Sequence, residues 1–222
     1  MNASGVFSSV DTFISAQFSK DDAALTSVEK SLSVAGISNI SVSSSQGKLL
    51  HVLARMCQAK RILEIGTLGG YSSIWMARAL PRTGKLLTIE NSPEHARIAA
   101  SNIDRARLSS KVEIRIGDAD RVLRSLERSG VPLFDMVFID ADKVSYNKYL
   151  SHALKLTHAG SIIIADNVIR KGKVLDADSK DVNVIAVRRY LQTLAQSKKL
   201  STAIVQTITP KGHDGLAISV VL

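Results

Sequence analysis

The 222-residue sequence has one cysteine, Cys57, so no disulfide can form within the chain. A lone thiol suits a reducing compartment. It closes the apolar run Leu49 to Met56, where a buried helix position is expected rather than a nucleophile. No run of about 18 apolar residues occurs, which excludes a membrane-spanning helix. Met1 to Ser9 lacks a basic start and a long apolar core, so no secretory signal is expected and the chain is read as cytoplasmic. Aromatic residues make up only 5% of the chain, few for a surface that stacks on bases. The five histidines show no metal-ligand spacing; His213 is expected to be exposed.

Blocks of like charge are also missing. The formal net charge is +9, from 29 Lys+Arg against 20 Asp+Glu. The basic residues are scattered, as at Lys60-Arg61, Arg121, Arg124, Arg188-Arg189 and Lys198-Lys199. This reads as a solvated basic surface, not a nucleic-acid site. A basic RNA-binding module or RNA methyltransferase is the weaker alternative. It has the charge alone in its favour, and no Asn/Asp-Pro-Pro-aromatic motif occurs.

What is present is a regular alternation. With 45% hydrophobic residues, the chain can bury one core. A single domain over 1–222 is expected, with a helical extension over 1–40 and the main body over 41–222. Residues 6–35 carry apolar positions at helical spacing. Gly36 to Gly47 is Ser-rich and turn-like, and Leu49 to Met56 reads as helix. Five apolar strands follow, at 61–65, 85–89, 112–116, 134–139 and 161–165. Helices are expected between them at 71–80, 93–106, 118–129 and 146–156. This is the signature of a parallel sheet covered on both faces. A helix over 184–195 precedes two β-rich runs, 202–209 and 215–221, joined by Pro210-Lys211-Gly212-His213-Asp214. The fold class is therefore α/β: a doubly wound, mostly parallel seven-stranded sheet with an antiparallel C-terminal strand pair.

The first strand runs into Glu64-Ile65-Gly66-Thr67-Leu68-Gly69-Gly70 and then Tyr71-Ser72. Glycines at a strand-to-helix turn let the backbone bend and approach a ligand closely. Leu68 breaks the G-x-G-x-x-G spacing, and no Gly-Lys-Ser/Thr follows, so a pyrophosphate cradle is disfavoured. That weakens the alternative of an NAD-dependent oxidoreductase. Glu64 would repel phosphate but could accept hydrogen bonds from a cationic amino-acid group. Glu90, ending the second strand, is placed to hold ribose hydroxyls. Gly117-Asp118-Ala119, after the third strand, leaves room for a flat ring, although Asp118 could equally cap a helix. Tyr71 and Trp75 are read as core.

Asp140 ends the fourth strand and Asp166-Asn167 the fifth. Parallel strands bring those ends to the edge that holds the glycine loop. Two carboxylates and an amide form an all-oxygen set suited to Mg²⁺, with Mn²⁺ or Ca²⁺ possible, and unsuited to zinc.

Together these motifs resemble the class I S-adenosylmethionine methyltransferases, and more closely the cation-dependent O-methyltransferases of the catechol and caffeoyl-CoA type. The likeness runs from about Val42 to the C-terminus. It rests on Gln46-Gly47, Leu63-Glu64-Ile65-Gly66, Gly70-Tyr71-Ser72, Ile89-Glu90, Gly117-Asp118-Ala119, Phe138 to Lys143, Ala165-Asp166-Asn167 and Asp214 to Ala217. The resemblance implies a Rossmann-like methyltransferase whose core spans 41–222. It implies that Val42, Glu64, Gly66, Thr67, Gly70, Ser72, Glu90, Asp118, Ala119 and Asp142 serve S-adenosylmethionine. It further implies that Asp140, Asp166 and Asn167 hold a divalent cation, with Asp140 and Lys143 as catalytic residues and Lys143 as general base. A neighbouring cation disfavours a charged ammonium, which suits that role. The expected acceptor is an aromatic hydroxyl of a vicinal diphenol. No nucleic-acid or membrane partner is expected, and a homodimer is. The acceptor itself stays open: Arg170, Lys171 and Lys173 make its rim basic.

Overall fold

In the computed structural model, residues 3–209 and 212–222 are described. Helices α1 (Ala3–Phe18) and α2 (Ala23–Val34) precede α3 (Ser44–Met56). The alternation then runs β1 (Arg61–Ile65), α4 (Tyr71–Ala79), β2 (Lys85–Glu90), α5 (Pro93–Arg105), β3 (Val112–Ile116), α6 (Ala119–Ser129) and β4 (Phe134–Ile139). It continues with α7 (Tyr146–Lys155), β5 (Thr157–Ala165), α8 (Val182–Gln196), β6 (Leu200–Thr209) and β7 (Gly212–Val221). The strands form one seven-stranded sheet in the order β3-β2-β1-β4-β5-β7-β6. β1 to β5 are parallel, while β7 runs antiparallel to both β5 and β6. The α/β class and the C-terminal antiparallel pair are as the sequence indicates. Pro210 and Lys211, assigned to the return between the last strands, lie outside the described residues.

Two apolar layers flank the sheet. Ile62, Ile74, Met76, Met136, Phe138 and Ile164 belong to the layer that also holds α2 and α3 residues such as Leu32 and Leu50. Leu63, Ile65, Val137, Ile139, Ile163 and Tyr190 belong to the other. Adjacent strand residues thus go to opposite faces. Tyr71 and Trp75 are buried, as expected of core. Cys57 is the C-cap of α3 and only half-buried, so the expected buried position is met in part.

Local chemistry explains where the boundaries move. The helical stretch 6–35 is two helices, because Asp22 caps α2 by accepting the Leu25 N–H at 3.0 Å. α3 begins five residues before the expected Leu49, inside the Ser-rich stretch. Ser43 and Gln46 form a capping box, with bonds of 3.0 and 3.2 Å. After β5 an unforeseen 3-10 segment, Arg170–Leu175, includes left-handed backbone at Lys171 and Gly172. Among the described residues no helix is long and apolar enough to cross a membrane.

Candidate functional site

The C-terminal ends of β1 to β5 open onto a cleft of about 740 Å³. β1 lies between β2 and β4, so the connections diverge there and leave a crevice above the sheet. Gly66 makes the crevice possible. Its φ is 99°, and a Cβ would collide with the Asp140 carbonyl oxygen. Gly66, Thr67 and Ser72 line the cleft. Gly70 does not: at φ 85° it is the left-handed N-cap of α4 and packs on Ala99 of α5. That conformation turns the loop into α4.

Glu64 sits beneath the loop. It is fully buried and lies outside the cleft lining. It shares the face of β1 used by Ile62, under α4, where the Ser72 and Ser73 hydroxyls donate to its two oxygens. Burial pushes its carboxyl from 4.5 up to about 7, against the lowering effect of those hydroxyls. Ser72 stands between Glu64 and the cleft.

Glu90 lines the cleft and does more than its strand-end position suggests. Its Oε2 accepts the N–H groups of Thr67 and Leu68 at 3.2 and 2.8 Å, and its Oε1 that of Ser92 at 2.9 Å. The carboxylate therefore ties the glycine loop to β2. Asp118 caps α6 through the Arg121 N–H at 3.0 Å, and it lines the cleft beside Ala119. Val42 contributes from the segment before α3. Asp142 lines the cleft, accepts the Ser145 N–H at 3.1 Å and is bonded by the Tyr149 hydroxyl.

Beyond β4, the Lys143 ammonium is nearly buried. Its Nζ lies 3.0 Å from Asp140 Oδ1, and it donates to the Ala141 carbonyl at 3.1 Å and to Tyr146 Oη at 2.7 Å. An ammonium has three N–H groups, and all three have acceptors. The Tyr146 hydroxyl donates in turn to the Asp166 carbonyl at 2.8 Å. Burial, with the charges of Asp140 and Asp166, raises the Tyr146 phenol well above its ordinary value, so it stays a neutral donor.

Asp166 is buried behind the cleft wall, while Asp140 and Asn167 line it. Burial, then the charge of Asp140, push the Asp166 carboxyl upward. The Asn167 N–H donates to Asp166 Oδ1 at 2.6 Å from a left-handed backbone at φ 56°. Among the described residues no group of three or more His, Cys, Asp or Glu forms a metal site. The candidate set is two mutually repelling carboxylates and an amide. A divalent cation fits that donor chemistry and would relieve the repulsion.

Tyr146, Tyr149 and Asp214 were not singled out for roles. Tyr146 stands three residues after Lys143, and Tyr149 three after Tyr146, helical spacings that could have flagged them. Asp214 Oδ1 accepts three N–H groups, from Ile169, Arg170 and Gly215, at 3.0, 3.0 and 2.9 Å. It pins the chain that leaves Asn167, across a sequence gap no local pattern bridges. His213 is half-buried, with its Nε2 2.7 Å from Gln206 Oε1.

Residues 14–218 match the sequence model of the O-methyltransferase family. The chain belongs to that family. This O-methyltransferase is 49% identical to a catechol O-methyltransferase of Niastella koreensis, over 97% of this chain and 98% of the relative. It is 42% identical to a catechol O-methyltransferase of Mycobacterium tuberculosis, over 96% and 94%. An O-methyltransferase of Streptomyces achromogenes involved in tomaymycin synthesis, solved with S-adenosylmethionine, superposes with a TM-score of 0.96. It is 42% identical, and the match covers 100% of this chain and 99% of that one. One from Bacillus cereus, solved with S-adenosylhomocysteine, gives 0.96 at 41% identity, covering 99% and 100%.

Proposed function

We propose that this enzyme transfers the methyl group of S-adenosylmethionine to one hydroxyl of a vicinal diphenol, with a divalent cation, Mg²⁺ foremost. The observation that carries this reading is the convergence of Asp140, Asn167 and Lys143 on one cleft with the glycine loop, Glu90 and Asp118-Ala119. Its support is twofold: the names of the relatives above, and solved relatives that hold the cofactor or its product.

In this reading Gly66, Thr67 and Ser72 approach the amino-acid part of the cofactor, Glu90 accepts hydrogen bonds from the ribose, and Asp118, Ala119 and Val42 border the adenine. Glu64 acts through Ser72, holding its hydroxyl. Asp142, steadied by Tyr149 and Ser145, borders the cofactor from the β4 side. A cation held by Asp140, Asp166 and Asn167 supplies positive charge that makes a nearby hydroxyl more acidic. Lys143 takes the hydroxyl proton at Nζ. To do so it must first lose a proton and one of its three hydrogen bonds; Asp140, its ion-pair partner, is also one of the residues that would hold the cation. Tyr146 keeps the lysine aimed, since its oxygen accepts from Nζ while its own proton is committed to Asp166 O. The rest is positioning: acceptor oxygen and methyl donor meet in line, with no covalent enzyme intermediate.

Assay with labelled cofactor and catechol tests the reading. Chelation by EDTA is expected to abolish methyl transfer and Mg²⁺ to restore it. Full activity after exhaustive chelation would remove the cation from the mechanism.

A further inference from the structure

Among the described residues that line the cleft, Arg170 has a buried donor without a partner. It lines the cleft three residues after Asn167 and is half-buried. Its Nε is sealed from solvent with no hydrogen-bond partner among the described residues, and no ion pair found there uses its guanidinium. Other arginines are engaged: Arg78 with Asp22, Arg124 with Asp120, and Arg188 with the Val174 carbonyl. A buried donor without an acceptor is costly, and costlier when it carries charge.

The backbone that presents Arg170 is held in place. Arg170 and Lys171 both sit at φ 56°, in the left-handed region, without being glycine. The Asp214 carboxylate fixes the Arg170 N–H. Such strain persists where surrounding structure enforces it, and it gathers at ligand sites. Nearby charge is mixed, with Lys173 basic and Asp181 and Asp214 acidic, and both carboxylates already have backbone partners. Asn183, in the first turn of α8, lines the cleft, and the start of that helix is capped by the Asp181 carboxylate, which accepts the Asn183 N–H at 2.9 Å. Asp181 is held below the ordinary carboxylate range by the Asn183 N–H first, and also by Lys173 and Arg170. Asp214 lines the same cleft, but its Oδ1 is occupied by three backbone N–H groups.

Topology says whose anion this is. The residues assigned to the glycine loop, ribose and adenine follow β1, β2 and β3, whereas Arg170 follows β5, on the other side of β4. An anion at Arg170 therefore belongs to the methyl acceptor.

We infer that Arg170 selects acceptors whose diphenol ring carries a carboxylate, pairing its guanidinium with that group. This rests on the diphenol reading above. A planar guanidinium suits a carboxylate because two N–H groups can meet two oxygens.

The test compares kcat/KM for 3,4-dihydroxybenzoate, catechol and dopamine at saturating cofactor and Mg²⁺. The wild type is expected to prefer the benzoate to catechol and catechol to dopamine. In Arg170→Met the benzoate-to-catechol ratio should fall roughly tenfold to hundredfold, the scale of a charge-assisted bond, chiefly through KM. Arg170→Lys should restore part of it, and Arg170→Glu should place dopamine above the benzoate. Using a ratio cancels general damage to the site, and Lys173→Met controls for the overall basic field. Calorimetric affinity for 3,4-dihydroxybenzoate should fall in parallel in Arg170→Met. If that variant does not fold, the Lys and Glu variants carry the comparison. An unchanged ratio in the Arg170 variants, or an equal fall in Lys173→Met, overturns the inference. If the wild type methylates catechol with no preference for the carboxylate, the inference alone fails. If it methylates none of the three, the diphenol reading fails and takes the inference with it.

Discussion

At the scale of single residues, two buried charges govern behaviour in opposite ways. Lys143 has all its protons placed, so its chemistry begins with losing one. Replacing it by Met keeps most of the stem and removes the proton acceptor. kcat is expected to fall by roughly 10²–10⁴-fold with metal and cofactor affinity largely kept. The loss should be smaller on 4-nitrocatechol than on catechol, because that acceptor arrives partly ionised. Equal losses on both, with chemistry rate-limiting, would leave Lys143 a positioning residue. Glu64 is the second charge. Burial raises its carboxyl from 4.5 to about 7. Between those values the unfolded chain releases a proton that the folded chain keeps, so this group's contribution is fully present below about 4.5 and lost by about 7. The scale is about 3 kcal/mol. Glu64→Gln removes the titration. Melting of the ligand-free protein from pH 4.5 to 7.5 should show a shallower decline in the variant, and parallel profiles would refute the assignment.

At the scale of elements, the site depends on a few junctions where backbone geometry is exacting. Gly66 joins β1 to the glycine loop against β4, and Asp214 joins β7 to the segment after β5. Gly66→Ala adds a methyl group against the Asp140 carbonyl at a φ of 99°. A substitution meeting both a clash and a left-handed backbone should cost more than the ~1 kcal/mol of an ordinary surface change. It should also displace Asp140, weakening metal and cofactor binding together. Asp214→Ala acts elsewhere. It leaves three N–H groups without their acceptor, at a cost on the order of 1–3 kcal/mol. The Mg²⁺ concentration needed for half-maximal activity should rise while cofactor affinity holds, since Asp214 touches the β5 side only. Equal damage to both affinities would show that the loop after β5 is not a separate unit.

At the scale of the whole molecule, the unresolved matter is α1. It is tied to α3 by Ser15–Ser45 and Ser45–Asp11 hydrogen bonds of 2.9 and 2.8 Å, and it also meets β6. Yet Phe13 and Phe18 remain 64% and 69% exposed, with Val6, Phe7, Val10 and Ile14 also uncovered. α2, by contrast, is packed: a Cβ on Gly69 would press on Val28 and Leu32, and Tyr71 donates to Asp21 at 2.7 Å. A contiguous apolar strip on one helix calls for a covering surface, and a symmetric copy of the same chain is the commonest one. We propose a homodimer that buries α1. Light scattering at micromolar concentration should give twice the chain mass of 23.9 kDa. Phe13→Glu with Phe18→Glu should shift it toward monomer, and a monomeric wild type would contradict the proposal.

The alternation of apolar strands with helices was sufficient to read the doubly wound sheet from the chain alone, because strands buried on both faces leave unbroken hydrophobic runs such as Phe134 to Ile139. The strand-end motifs were legible for the same reason: parallel strands carry their C-terminal residues to one edge, so Gly66, Glu90, Asp140 and Asn167 could be assigned to one crevice before any coordinates. Side-chain direction was not legible. That Glu64 faces α4 and not the cleft follows from strand phase and from the Ser72 and Ser73 hydroxyls beneath that helix. That Glu90 ties down the glycine loop, that Tyr146 links Lys143 to Asp166, and that Asp214 reaches back to Ile169 and Arg170 are contacts across gaps of 3 to 45 residues. Periodicity reports only what repeats along the chain. The partner of a buried charge is chosen by which elements the sheet order sets side by side, and that order exists only once the strands have paired.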